Sequence, residues 1–383
     1  MADSSIAINL RRLRQAKALT QETIADRAGI TRAAYRNIES GRSAPRVGTL
    51  QSIACAMDVN IQYLVEPARG LHAVRFRSLK RLRSREQILV DVARWLGDFN
   101  ELERALGDHV VNQLATFTVS EQPGADRAVL AAALLREHFG IGADEPIRDL
   151  CGLLEAQGIK VGSVPIASHD FFGLSVAGAD GGPAVVVNTW ERISVERWIF
   201  TAAHELGHLV LHLADYDVGS TDEPEDHERQ ANAFAAAFLM PEPAFRKAWD
   251  ETYGLSLLDR VLKVKRIFRV SYRTVLHRLS GSGVVQGNIW MRFQQDYQRR
   301  HGRTLLRVDE PEALAIDAFR AGFPEHLAAT EPEHLSRVDF PGDRLSRLVR
   351  RAVEREQISL GRAAEILRIS LQEMRALATS WVG

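Results

Sequence analysis

Cysteine is nearly absent. Cys55 and Cys151 are the two in 383 residues, too few for a disulfide framework and in keeping with a reducing cytoplasm. Long apolar runs are missing as well: no stretch of about 18 uncharged apolar residues occurs, so no membrane-spanning helix is expected. The start, Met1-Ala2-Asp3-Ser4-Ser5, has neither the basic residues nor the apolar segment of a secretion signal. A cytoplasmic protein with no membrane partner is the expectation. Net charge is also lacking, with 49 Lys and Arg against 49 Asp and Glu. The 45% hydrophobic and 26% charged content excludes a disordered chain and leaves material for two or three domains.

The zero net charge hides two opposed regions. Residues 1 to 85 hold sixteen Lys or Arg and six Asp or Glu, a basic end suited to nucleic acid. The segment 215–226 carries Asp215, Asp217, Asp222, Glu223, Glu225 and Asp226 with no Lys or Arg. Between Ile6 and Pro67 the apolar spacing predicts five short helices. Two of them meet at Ala28-Gly29-Ile30, the spacing of a helix-turn-helix.

The chemistry concentrates in His204-Glu205-Leu206-Gly207-His208, set in an apolar stretch that reads as a buried helix. Residues four apart leave one helix face, so His204 and His208 can grip one metal ion. Glu205 is then placed to take a proton from water rather than to ligate. The plain alternative is a buried helix whose histidines only hydrogen-bond. A catalytic zinc site needs three protein ligands, and a second helix over 227–240, stopped by Pro241, offers Glu228, with Asn232 one turn on as a partner for a ligand histidine. Zn2+ is expected, with Mn2+ or Fe2+ accepted by the same donors. His212 lies about 12 Å along the helix from His204 at 1.5 Å per residue, too far to share the ion, and reads as a supporting or core residue.

Two resemblances follow from these motifs. HELGHLVLH and the later ERQANAFAAAFLMP resemble the ImmA/IrrE family of bacterial metallo-endopeptidases over about Val119 to Leu279. The resemblance implies zinc on His204, His208 and Glu228, Glu205 as the base, and a helix-turn-helix repressor as substrate. Where many members carry a second glutamate before the AN pair, this chain has Gln230. Residues 6–67 resemble the DNA-binding domain of phage-repressor and Cro-like (XRE-type) regulators. That resemblance implies that Thr31, Arg32, Ala33, Arg36 and Asn37 lie at or beside reading positions on double-stranded DNA, with Gln21 opening the preceding helix. Arg32 is the guanine reader by its forked geometry, and Arg36 a phosphate contact. A protein-binding adaptor is the competing view of this region. One such unit reads a half-site, so a homodimer is the expected reader.

The expected fold is multidomain and mainly α. An all-α helix-turn-helix domain (1–68) is followed by a basic linker and amphipathic helix (69–118). Next come an α+β zincin-like peptidase domain with a small sheet (119–285) and a helical C-terminal region (286–383). Helices are expected over 126–139 and 146–157, and strands over 159–164, 172–177 and 183–188. The segment with Gly173, Leu174 and Ser175 is the candidate open edge where a peptide substrate adds as a strand. Tyr216, His212 and Tyr272 are the candidates for holding an oxyanion. Val270-Ser271, Ile358-Ser359 and Ile369-Ser370, each before a helix, suggest a weak internal repeat. Function reads as a DNA-binding regulator fused to a zinc endopeptidase; a regulator whose metal site only senses or stabilises, or a toxin–antitoxin or phage-immunity component, remains open.

Overall fold

Threonines and a glycine draw the first boundaries. In the computed structural model, which describes residues 5–17, 19–65, 71–76, 85–119, 126–217, 224–282, 287–306, 309–312 and 334–381, helix α1 (Ser5–Ala16) is followed by α2 (Gln21–Ala28) and α3 (Arg32–Glu39). The Thr20 hydroxyl accepts from the Thr23 amide at 3.0 Å and the Thr31 hydroxyl from the Ala34 amide at 3.1 Å. Each satisfies an orphan donor of a first turn. Gly29 ends α2 at φ +66°, a left-handed turn that glycine adopts without strain. Helices α4 (Val47–Ala56) and α5 (Gln62–Val65) complete the set. Leu10, Ile24, Tyr35, Ile53 and Leu64 are fully buried in the shared core. Arg14 clamps Glu39 through two hydrogen bonds of 2.7 and 2.8 Å, tying α1 to α3.

Backbone contacts divide the chain into two compact units, residues 1–71 with 79–98, and residues 72–78 with 99–383. The second unit holds a four-stranded mixed sheet of order β1-β3-β4-β2, made of β1 (Val74–Phe76), β2 (Lys160–Val164), β3 (Gly173–Val176) and β4 (Ala184–Asn188). β2 runs parallel to β4, while β3 pairs antiparallel with both β4 and β1. Helix α6 (Arg85–Leu106) precedes α7 (Arg127–His138) and α8 (Leu150–Ala156), and α9 (Val195–Leu211) packs on the sheet and on α10 (Glu225–Leu239). Helices α11 (Glu242–Asp250), α12 (Leu257–Phe268), α13 (Tyr272–Ser282) and α14 (Ile289–His301) follow, and Arg344–Glu354, Leu360–Leu367 and Leu371–Ser380 end the chain. The architecture is mainly α with one small central sheet. Among the described residues no helix is long and apolar enough to cross a membrane.

Two glycines let the layers close. A methyl on Gly173 would sit 2.6 Å from Thr201 Cγ2 and 2.9 Å from the Val186 carbonyl oxygen, so β3 lies directly against α9. A methyl on Gly207 would sit 2.9 Å from the Phe234 ring, so α10 approaches the histidine helix as closely as its own side chains allow. The C-terminal carbonyls of α10 are held by the buried Arg136, which donates to Phe238 O at 2.7 Å.

The structure departs from the expectations at four places. The strand carrying Gly173, Leu174 and Ser175 is not an open edge. Val74–Phe76, from the stretch that reads as a basic linker, pairs with it as Val74↔Val176, Arg75↔Ser175 and Phe76↔Leu174. Three residues among arginines give no alternation to read. The helix expected from 146 begins at Leu150, because Asp149 caps it by accepting from the Gly152 amide at 2.8 Å. The Val/Ile-Ser signature is helix capping: Ser271, Ser359 and Ser370 each accept from an amide three residues on, at 3.1–3.2 Å. Tyr272 is stacked on Phe293 in the core, away from the role of oxyanion donor.

Candidate metal centre and DNA-reading face

Ser194 caps α9, and the helix is buried along nearly its whole length, with His204, Glu205 and His208 each 1% exposed or less. Buried polar groups require partners, and these come from α10 and β3. His204 Nδ1 lies 3.0 Å from Asn232 Oδ1. An amide oxygen only accepts, so the proton sits on Nδ1 and Nε2 keeps its lone pair.

His208 is fixed by a longer chain. Gln230 Nε2 donates to Asp226 Oδ2 at 2.5 Å, which turns Gln230 Oε1 toward His212 Nε2 at 3.2 Å. His212 Nε2 is therefore the donor, and its Nδ1 accepts from His208 Nδ1 at 3.0 Å. The lone pair of His208 again falls on Nε2. Burial holds His208 down to about 3 and His212 down to about 4, so both rings are neutral near pH 7.

Both Nε2 lone pairs thus face one another at 3.0 Å, with Glu228 Oε1 3.1 Å from His208 Nε2 and Oε2 3.4 Å from His204 Nε2. The three ligand atoms lie within 4.8 Å of one another. Two imidazole lone pairs and a carboxylate converging in a buried space repel each other unless a cation lies among them. The donor set fits a divalent metal.

Glu205 is held from the sheet. Its Oε2 accepts from the Ser175 hydroxyl at 2.7 Å, and Ser175 Oγ lies 2.7 Å from the Tyr216 hydroxyl. Ser175 gives its proton to the carboxylate, so Tyr216 donates to Ser175. Burial raises the Tyr216 phenol, which stays protonated. Ser175 is fully buried behind the carboxylate, not facing outward to a peptide.

Arg75, opposite Ser175 across the β1–β3 pair, is buried with Nη1 3.2 Å from His227 Nδ1. The His227 ring stacks on His212 at 4.1 Å. Sequence reasoning missed Arg75 and the part played by Gln230. Arg75 lies 152 residues from its partner, and Gln230 acquires its role only through Asp226 and His212. In the acidic segment, Asp222 and Glu223 lie outside the described residues, and Asp226 is already paired with Arg229.

In the first unit, Arg32, Ala33 and Arg36 are exposed on α3, Asn37 is half-buried, and Gln21 is half-buried at the start of α2. Thr31 is the α3 cap. Arg32 comes within 3.9 Å of Glu22, with both side chains about two-thirds exposed, a contact too solvated to lock the guanidinium.

Residues 154–280 match the peptidase M78 family model, described as an IrrE N-terminal-like domain, and residues 10–64 match the helix-turn-helix model. The chain carries a helix-turn-helix domain followed by an IrrE N-terminal-like domain. An uncharacterized HTH-type transcriptional regulator, YqaE of Bacillus subtilis (strain 168), is 43% identical over 58 residues, 15% of this chain and 50% of the relative. The chain spans about half the length of that curated relative. His204, Glu205, His208, Glu228 and Ser175 fall inside the IrrE-like match, whereas Arg75 falls outside both matched segments.

Proposed function

We propose that this chain is a DNA-binding transcriptional regulator and a zinc-dependent endopeptidase, with His204, His208 and Glu228 holding the ion and Glu205 as general base. The observation that carries the reading is the pair of tautomers, set by Asn232 and by the Gln230–His212 chain, which turns both Nε2 lone pairs toward Glu228. When bound, the ion supplies Lewis acidity, polarising a peptide carbonyl and making water a stronger acid. Glu205 accepts the proton of the attacking water and returns it to the leaving amine. The Tyr216–Ser175 chain holds one oxygen of that carboxylate, leaving the rotation of Glu205 little freedom. A peptide pairing with β3 takes the position of β1, so Val74–Phe76 must yield before an extended substrate can bind there.

The substrate class we infer is a basic, repressor-type helix-turn-helix protein, supported by the acidic groups Asp215, Asp217 and Glu225 next to the metal-binding helices. On DNA, Arg32 reads a base edge and Arg36 holds phosphate, with two copies covering two half-sites. The test is to capture cellular proteins with the Glu205→Gln chain and treat them with the parent chain and zinc or manganese. Site-specific cutting of a captured DNA-binding protein is the expected result. Regulation that survives Glu205→Gln unchanged would instead make the metal a sensor or a structural ion.

A further inference from the structure

The second unit contains a cavity of about 920 Å³, within the range of ligand-binding sites. Among the described residues its lining includes Arg197, Arg246, Arg273, Arg278 and His277, with Glu242 the one carboxylate. Both Glu242 oxygens are engaged, Oε1 by Arg246 at 2.6 Å and Oε2 by Arg278 at 3.4 Å. Arg278 is half-buried and also donates to Met240 O at 2.6 Å. Partial burial, with Arg273 adding to it, shifts His277 below its ordinary value. Among the described lining residues, Arg246, Arg273 and Arg278 thus outnumber the one carboxylate, which two of them already share. A concave site with such a surplus concentrates anions, and the guanidinium fork suits a carboxylate.

The cavity borders the candidate metal centre through Asn232, which lines it and bonds His204. Arg197 and Phe200 precede His204 by seven and four residues on α9, the spacings of its metal-bearing face. Asn232 and Ala236 follow Glu228 by four and eight residues on α10, again on the ligand face. Both faces that hold the candidate ion therefore run into the cavity. Glu225 stands at the other end of α10, before Glu228, beside Asp226, which is paired with Arg229. Eight residues of helix span about 12 Å, the reach of three to four residues of extended peptide at about 3.3 Å each.

We propose that this cavity is a substrate subsite for an acidic side chain, Asp or Glu, placed three to four residues from the scissile bond. Charge changes sign along α10, with Glu225 at its start and the arginines of the cavity beyond its middle. The proposal rests on the peptidase reading and adds a rule of selection to it: the preferred peptide is acidic on one side of the cut and basic on the other.

The experiment measures binding without turnover. Full-length, zinc-loaded Glu205→Gln protein is titrated at low salt with two fluorescently labelled alanine-rich peptides, one with a Glu-Glu pair near one end and one with Lys-Lys there. The Glu peptide should bind roughly tenfold more tightly, as expected for complementary charges in a partly desolvated site. Arg246→Glu with Arg273→Glu should abolish or invert that preference, and Arg273→Lys should keep it. The single exposed-site variant Arg246→Ala, which threatens the fold least, should weaken the Glu peptide alone. Equal binding of the two peptides, no binding of either, or a preference unchanged by the reversal would overturn the subsite. So would displacement of the Glu peptide by ATP at far lower concentration than by free glutamate, which would make the cavity a site for a small phosphate ester. Absence of cleavage by the parent chain with the binding preference intact would count against the peptidase reading and not against the cavity.

Discussion

The helix-turn-helix unit and the metal centre are assembled by different means. In the first, α2 and α3 are bounded by caps three residues from the amides they satisfy, and the residues proposed to read DNA stand exposed on one short helix. In the second, the decisive contacts join residues far apart: Ser175 with Glu205, Asn232 with His204, and Arg75 with His227 across 152 positions. Local capping makes a surface that tolerates change at each position. Long-range hydrogen bonding makes a buried site in which each polar group fixes the next, so removing one leaves others without partners.

That difference predicts a ranking of effects. The largest is Glu205→Gln, which should lower cleavage by about 10²–10⁴-fold, the usual worth of a general base, while metal content stays unchanged. A comparison of single-turnover rates with elemental analysis separates the two. Gln230→Leu should come next. It leaves all three proposed ligands in place but frees His212 to adopt the other tautomer, and supporting contacts of this kind are worth about 10–100-fold in metal affinity. A competition titration with a zinc chelator reads the change, and affinity equal to the parent's would remove Gln230 from the account.

A smaller effect belongs to the first unit. Burial alone would raise the Glu39 carboxyl, but the Arg14 guanidinium overrides it and holds the group below its ordinary value. A carboxyl depressed in the folded state contributes stability above its unfolded pKa and loses it as pH falls through the folded pKa. Arg14→Ala should therefore cost about 1–3 kcal/mol near pH 7 and less in acid, measured by hydrogen exchange of the α1 and α3 amides in the full chain. Smallest for the fold is Arg32→Ala, which should leave stability untouched and remove about 1–3 kcal/mol of discrimination at one base pair. Equal loss on every DNA sequence would mark Arg32 as a phosphate contact.

The same contrast explains what could be read from the sequence. His204, Glu205 and His208 share one helix, and Glu228 with Asn232 share another, so periodicity alone proposes them. Gly29 and Thr31 announce their boundaries because capping is local. Strand β1 was hidden because Val74–Phe76 pairs with residues about a hundred positions later, and nothing in a three-residue run names its partner. Alternation assigns Ser175 to a strand but cannot say which face meets the Glu205 carboxylate. The sequence marks Gln230 only as a departure from the family, and its role depends on a tautomer that the Asp226 and His212 contacts decide.

The central claim is that His204, His208 and Glu228 form one metal site. Its most direct test is the metal-to-chain ratio of purified protein for the parent, for Glu205→Gln and for the His204→Ala, His208→Ala double variant. The account predicts about one divalent ion per chain in the first two and almost none in the third, with circular dichroism showing that the helices remain. Full metal retention by a folded double variant would contradict it.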